Sequence, residues 1–347
     1  MPPGDDVARP STAARPARLP IARVAPGLLL AVTIALASAF VMEHHGGPAM
    51  LYALLLGIAF HFLGQETKCA AGITFASKSV LRLGVALLGA RITVGDVAAL
   101  GVPTVLLVVG GVAFTVCAGW AVGRLFRLTS DHAVLSAGAV AICGASAALA
   151  IASVLPNHRR SERNTILTVV GVTTLSTAAM VLYPTIVHML GFDHRQAGVF
   201  LGATIHDVAQ VVGAGYMISD QAGETAAIVK LMRVGCLLPA VVAISLAFRA
   251  HRTPGEGGGR PPLLPPFLIG FVVLMLANSA GLLPAAAVEA IGQASRWCLL
   301  VAVAALGVKT SLRDILSVGP GPIAAVVVQT LMLALFVLGG LHLLGGA

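Results

Sequence analysis

Gly202-Ala203-Thr204-Ile205-His206-Asp207-Val208-Ala209-Gln210-Val211-Val212-Gly213-Ala214-Gly215 is the stretch on which the fold turns. A histidine, an aspartate and a glutamine fall within five residues, in the middle of an otherwise apolar run. The surroundings of that run follow from composition. Hydrophobic residues make up 57% of the 347 residues and charged residues 10%, against about 25% charged in a soluble domain. With a mean hydropathy of +0.94, the chain cannot cover itself with polar groups and must face lipid over much of its surface. Ionisable residues inside a membrane are expensive and mark functional sites by default. The flanking glycines permit a helix break, which frees backbone amides and a positive helix end for an anion. The competing reading is a His–Asp pair that merely bonds neighbouring helices.

Working outward, apolar stretches recur near 26–42, 48–64, 76–91, 98–123, 132–155, 165–190, 196–218, 225–248, 264–282, 290–310 and 320–344. Each has roughly the length needed to cross about 30 Å of hydrocarbon. They lack the polar/apolar alternation of barrel strands, so the expected fold is an all-α polytopic membrane protein with about eleven segments. Residues 1–25 read as a disordered basic arm, with Arg9, Arg15, Arg18 and Arg23 against Asp5 and Asp6. A cleaved signal peptide ending near Ala37-Ser38-Ala39 is the alternative to a first transmembrane helix. Residues 26–347 form one transmembrane domain, with a flexible cytoplasmic linker near 249–263.

Loop charge then suggests a topology. Arg124 and Arg127 precede 132–155, while Arg159, Arg160 and Arg163 follow it; Arg249, Arg252 and Arg260 lie in the linker. The loop at 219–224 holds Asp220 and Glu224 and nothing basic. A full crossing by 132–155 would place one basic flank outside, against the positive-inside bias. A broken or re-entrant 132–155, with 196–218 treated alike, removes the conflict. The N-terminus is then cytoplasmic and the C-terminus external. Internal similarity agrees. Asp131-His132 leads to Ile142-Cys143-Gly144-Ala145-Ser146-Ala147, and Asp193-His194 leads to Ile205-His206-Asp207. Leu87-Leu88-Gly89-Ala90-Arg91-Ile92 with Asp96 similarly resembles Ala305-Leu306-Gly307-Val308-Lys309-Thr310 with Asp314. In the expected topology each matched pair runs in opposite directions, the inverted-repeat pattern of many secondary transporters. The two offsets differ, so no single tandem register covers both.

Candidate site residues are Cys143, Gly144 and Ser146 at the first break, His206, Asp207 and Gln210 at the second, and Lys230 and Arg233. The last two lie three residues apart, on one helix face. Two cations beside a helix break would attract a small oxyanion, with Arg offering a bidentate fork; snorkelling to the interface is the alternative for Lys230. Lys78 and Arg82 read equally as interfacial anchors or substrate contacts, and Arg91 and Lys309 as boundary residues. Five scattered cysteines without a CxxC pair argue against a disulfide framework and a metal site. HExxH, GxSxG and Walker A signatures are missing from the sequence, which points away from an enzyme. The net charge of +8 sits between apolar stretches, as membrane loops do, and does not indicate nucleic acid.

Leu81-Arg82-Leu83-Gly84-Val85, Ile142–Ala147, Gly202–Gly215, Lys230-Leu231-Met232-Arg233-Val234 and Ala304–Gly307 resemble the YeiH-type family of bacterial inner-membrane proteins, named for sulfate export. The resemblance covers about 27–340. Members of that family can carry Glu where this chain has Asp207, which keeps the carboxylate but changes its reach. The resemblance implies a secondary transporter of inverted-repeat type. The combined expectation is a carrier exporting a small oxyanion (sulfate, sulfite or a sulfonate), with His206 and Asp207 handling a coupling H+ or Na+ and no other cofactor. Histidine suits proton coupling because its charge changes near neutral pH. A cation/proton antiporter built on Asp207 is the rival, and an intramembrane enzyme using His206 and Asp207 a more distant one. Lipid and the anion are the expected partners; the oligomeric state stays open, a homodimer being one option.

Overall fold

The computed structural model describes residues 21–64, 67–156, 161–248, 265–310 and 320–345. The basic arm through residue 20, the linker at 249–263, Asn157, Arg159, Arg160 and Asp314 lie outside these residues. The fold is all-helical among the described residues, as expected. The chain runs through α1 (Ile21–His45), α2 (Ala49–Ala59), α3 (His61–Gly64), α4 (Thr67–Phe75), a π-helical turn at Ala76–Val80, and α5 (Leu81–Leu88). A 3-10 turn at Gly89–Arg91 leads to α6 (Val94–Ala99), α7 (Gly101–Leu125), α8 (Ser130–Ala141), α9 (Ala145–Ala152) and α10 (Ser161–Met189). Then come α11 (His194–Thr204), α12 (Val208–Ile218), α13 (Asp220–Gly235), α14 (Leu237–Ala247), α15 (Pro266–Ser279), α16 (Ala285–Lys309) and α17 (Pro320–Gly345). Seven described helical runs are long and apolar enough to cross a membrane; Ala49–Ala59, Val208–Ile218 and Pro266–Ser279 are shorter apolar helices. Leu29, Phe40, Leu106, Leu182, Leu276 and Leu335 stand exposed on the outside, as lipid-facing side chains do. α1 begins at Ile21, so the basic arm gives way to helix five residues before the expected start of the first segment.

The two segments expected to be broken are helical hairpins. A straight helix would hold Gly138 and Ile151 about 20 Å apart at 1.5 Å per residue. Instead the Ile151 side chain packs on Gly138 and leaves no room for a Cβ, so α9 folds back along α8. Ser130, Asp131 and Pro156 consequently line one cavity, shared with Ala247 and Phe248 at the end of α14. The second hairpin, α11–α12, enters from the opposite face. Gly198 near its start and Gly215 near its end both abut Ala222 in the first turns of α13, where a Cβ would meet the Ala222 oxygen at 2.8 and 3.1 Å. Ala222 and Phe248 lie at opposite ends of the α13–α14 run. The first matched pair, 131–147 and 193–207, therefore does run in opposite directions.

Two bundles result. A frame gathers α1–α5, α15 and α16, locked by close glycine crossings such as Gly57 against Ala304 and Gly307. A hairpin bundle gathers α7–α14 and α17. The two meet chiefly where α12 lies against α2 and α16, with Gly213 facing Val303. Arg124, Arg127 and Arg163 mark one face, called here the basic face. Asp96, Asp193, Asp220 and Glu224 gather on the other with Arg91, Arg195 and Arg296.

The hairpin geometry predicts that single cysteines at Ser130 and Pro156, in an otherwise cysteine-free chain, react with impermeant maleimide from the same side of the membrane. Labelling from opposite sides would mean that 130–156 crosses the bilayer.

Candidate functional site

Each hairpin turns at a three-residue break, and the two turns touch. In the first, Gly144 adopts φ 63° and ψ −119°, a region essentially closed to residues with a Cβ. Space is not the constraint, since a Cβ there would sit 3.4 Å from the His206 Cβ at the second turn. Glycine is required by the backbone, and His206 is the neighbour it brings close.

A break in a bilayer strands carbonyls that have no water to bond. Here α8 and α11 end at the turns, leaving orphan carbonyls and two negative helix ends side by side. Lys230 and Arg233, from the buried face of α13, answer both. Lys230 Nζ donates to the carbonyls of Ile142 at 2.7 Å and Ile205 at 3.0 Å. Arg233 donates from Nε to Ala141 (3.0 Å), from one terminal nitrogen to Gly202 (3.1 Å) and Ile205 (3.0 Å), and from the other to Val140 and Ala141 (both 2.8 Å). All five guanidinium N–H groups are used. The two side chains are 0% and 1% exposed, so neither snorkels, and Arg233 has no donor left for an anion. Their partners are the backbone of both breaks, where the sequence had suggested a substrate oxyanion.

The opposite helix ends remain. α9 starts at Gly144 with no side-chain cap, so the first N–H groups of Ala145 and Ser146 lack helical partners, and Ser146 is exposed. α12 starts under Asp207, whose Oδ1 accepts from the Ala209 N–H at 2.8 Å, while the Asp207 N–H donates to Ser176 Oγ at 2.9 Å. Asp207 is half-buried. His206 is 1% exposed; its Nε2 lies 3.0 Å from Thr330 Oγ1, which donates to the Val326 carbonyl, and its Nδ1 makes no hydrogen bond of proper geometry. Gln210 donates from Nε2 to Thr177 Oγ1 at 2.7 Å and leaves Oε1 buried without a partner. Cys143 is buried, its sulfur against the Ala147 N–H.

The structure thus brings Cys143, Gly144, His206, Asp207, Lys230 and Arg233 to one crossing, with Ser146 and Gln210 on its rims. It adds Ser176 and Thr177 from α10 and Gln329 and Thr330 from α17. Gln329 donates to the Gly119 carbonyl (2.8 Å) and to Ser136 Oγ (3.1 Å), tying α17 to α7 and α8. The signal for Gln329-Thr330 was present as two polar residues in mid-span; for Ser176 and Thr177 it was lost among the many hydroxyls of α10. Lys309, expected at a boundary, lies within electrostatic range of Asp207 and of Lys78 on the π turn, and both lysines are exposed. Among the described residues no group of His, Cys, Asp and Glu could hold a metal ion.

Comparison with known proteins yields one family. The family described as Conserved hypothetical protein 698 matches residues 26–326. The chain is 53% identical over 332 residues to the UPF0324 membrane protein TauZ of Paracoccus denitrificans, covering 95% of this chain and 98% of that one. It is 52% identical over 323 residues to a UPF0324 membrane protein of Rhizobium meliloti (92% and 93% covered) and 48% over 324 residues to one of Chlorobaculum tepidum (93% and 90%).

Two substitutions test the crossing. Arg233→Ala strands five carbonyl bonds and should destabilise the protein by on the order of 3–5 kcal/mol, about two charge-assisted hydrogen bonds. Arg233→Lys should fall between it and wild type; a wild-type melting temperature for Arg233→Ala in detergent would refute the bridging role. Gly144→Ala should cost about 1–3 kcal/mol in backbone strain, measured the same way, whereas Gly171→Ala, with open space around it, should be neutral.

Proposed function

The chain belongs to the UPF0324 family of membrane proteins, and we propose that it is a secondary carrier of a small oxyanion (sulfate, sulfite or a sulfonate) across the bacterial inner membrane. The observation carrying this reading is the charge asymmetry of the crossing. Both negative helix ends are neutralised by Lys230 and Arg233, while the positive end of α9 stays uncapped beside His206. An anion seated against Ala145 and Ser146 would gain backbone N–H groups, the helix dipole and the nearby field of two buried cations. Lys78 and Lys309 add positive charge on the frame side. Specificity for a tetrahedral anion would come from directional donors, and release from the absence of any direct cation fork.

Coupling falls to Asp207 and His206. Asp207 Oδ1 caps α12 by accepting from the Ala209 N–H, so a coupling ion bound at this carboxylate would act on the very helix end that flanks the substrate. The positive-inside bias assigns the basic face to the cytoplasm, with α1 starting there and α17 ending outside. A second reading, cation/proton antiport, draws on the unpartnered Gln210 Oε1 near Asp207, acceptors that suit a cation.

Proteoliposomes loaded with radiolabelled sulfate or sulfite, with and without pH and sodium gradients, separate the two. The carrier reading expects anion flux that the gradient drives, and Asp207→Asn should abolish the driven component while leaving anion binding. Flux of a cation without any anion would establish the antiporter instead. Wild-type pH dependence in Asp207→Asn would remove that carboxylate from coupling.

A further inference from the structure

Only two ion pairs occur among the described residues, and both join the frame to the hairpin bundle on the face opposite the basic one. Arg91, ending the 3-10 turn after α5, meets Glu224 at 3.3 Å; Arg296 on α16 meets Asp220 at 2.7 Å. The arginines belong to the frame and the acids to the first turns of α13. Gly292 sets the arrangement: a Cβ there would come within 2.7 Å of the Arg91 side chain, so the Arg91 stem lies across α16 one turn before Arg296. The two guanidinium groups therefore share one wall of an open cavity of about 680 Å³, with Asn278, Gln293 and Glu289 completing its polar lining. The Arg91–Glu224 pair is also loose. Glu224 Oε1 is buried yet makes no hydrogen bond of proper geometry, and the side chains of both pairs are partly exposed.

We propose that Arg91 and Arg296 form an oxyanion-binding site at the outer mouth of the protein, which Glu224 and Asp220 occupy as built-in surrogates while that mouth is closed. The reading of the substrate as a small oxyanion is taken from the proposed function; the site itself stands on the two pairs. A guanidinium fork binds a carboxylate and a sulfate or sulfonate through the same donors, so the two compete. When α13 withdraws, its carboxylates leave and the freed arginines hold the departing or arriving anion. The same helix carries Lys230 and Arg233 six and nine residues beyond Glu224, about 9 and 14 Å deeper, where they grip the tips of both hairpins. Displacing α13 at its outer end therefore moves the crossing as one piece. Exposed ion pairs of this kind are weak, which is what a latch between moving parts requires. An anion on the arginines and a closed latch exclude each other, so external oxyanion should hold the mouth open.

The test uses full-length protein, sulfate as the probe, and a cysteine at Val303, buried opposite Gly213 between the bundles. Asp220→Asn with Glu224→Gln should lower the sulfate concentration for half-maximal thermal stabilisation about tenfold and speed labelling of the Val303 cysteine from the outer side several-fold. Arg91→Gln with Arg296→Gln should speed labelling but abolish its response to sulfate. The exchange Arg296→Asp with Asp220→Arg should restore slow labelling, since the latch is rebuilt, while lowering sulfate affinity at the frame. Unchanged sulfate response and labelling in the acid-neutralised protein would overturn the proposal, as would an intact sulfate response in the double arginine variant. If sulfate acts on Arg91 and Arg296 as described but wild-type liposomes pass no anion, the carrier reading fails and the site stands. Driven anion flux that does not depend on either arginine would instead uphold the carrier and overturn the site.

Discussion

A broken helix inside a bilayer must find partners for the carbonyls it frees, and in this protein two breaks share one solution. Lys230 and Arg233 donate seven hydrogen bonds to the ends of α8 and α11, five of them from a single guanidinium. Without them, the two negative helix ends would face each other, unsolvated, at the tips of opposed hairpins. With them, the tips are cross-linked through α13 and the crossing becomes a rigid unit. The hairpins, the position of His206 against Gly144 and the burial of two cations all depend on this arrangement.

The same bonds create the asymmetry that chemistry can use. Neutralising the carboxyl ends of α8 and α11 leaves the amino ends of α9 and α12 as the unbalanced charges at the crossing. α12 is answered internally by the Asp207 side chain; α9 has no side-chain cap. One positive end is thus held by a carboxylate, and its neighbour is open. His206 lies between them with one ring nitrogen bonded to Thr330 and the other making no proper hydrogen bond.

Energetics separate what must stay together from what can part. Hydrogen bonds to buried charged groups contribute about 1.5–3 kcal/mol each. Ion pairs exposed to water contribute about 0–1 kcal/mol. The first kind binds hairpin to hairpin, and the second kind binds the hairpin bundle to the frame. The weak pairs therefore join the first turns of α13 to Arg91 and Arg296 of the frame, while α12 meets the frame through a glycine, Gly213 facing Val303.

Read alone, the sequence determined that the protein is helical and membrane-embedded, and its loop charges and glycines suggested breaks in 132–155 and 196–218, which the structure shows as hairpins. Those conclusions follow from hydropathy, which records the solvent, and from loop arginines and glycines, which record local backbone and charge constraints. It also singled out His206, Asp207, Lys230 and Arg233 as too polar for their surroundings, and the structure brings these four to one crossing. What each of them faces was not legible. Whether Arg233 meets an anion, a carboxylate or a carbonyl depends on which orphan backbone groups another segment brings to it, some 92 residues away in the case of Ala141. Arg91 shows the same limit: as a helix-end cation it is indistinguishable from a boundary residue until Gly292, 201 positions on, lays it beside Arg296. Segment identity is a property of local composition, but the partner of a buried charge is decided by distant packing, and only the tertiary structure contains it.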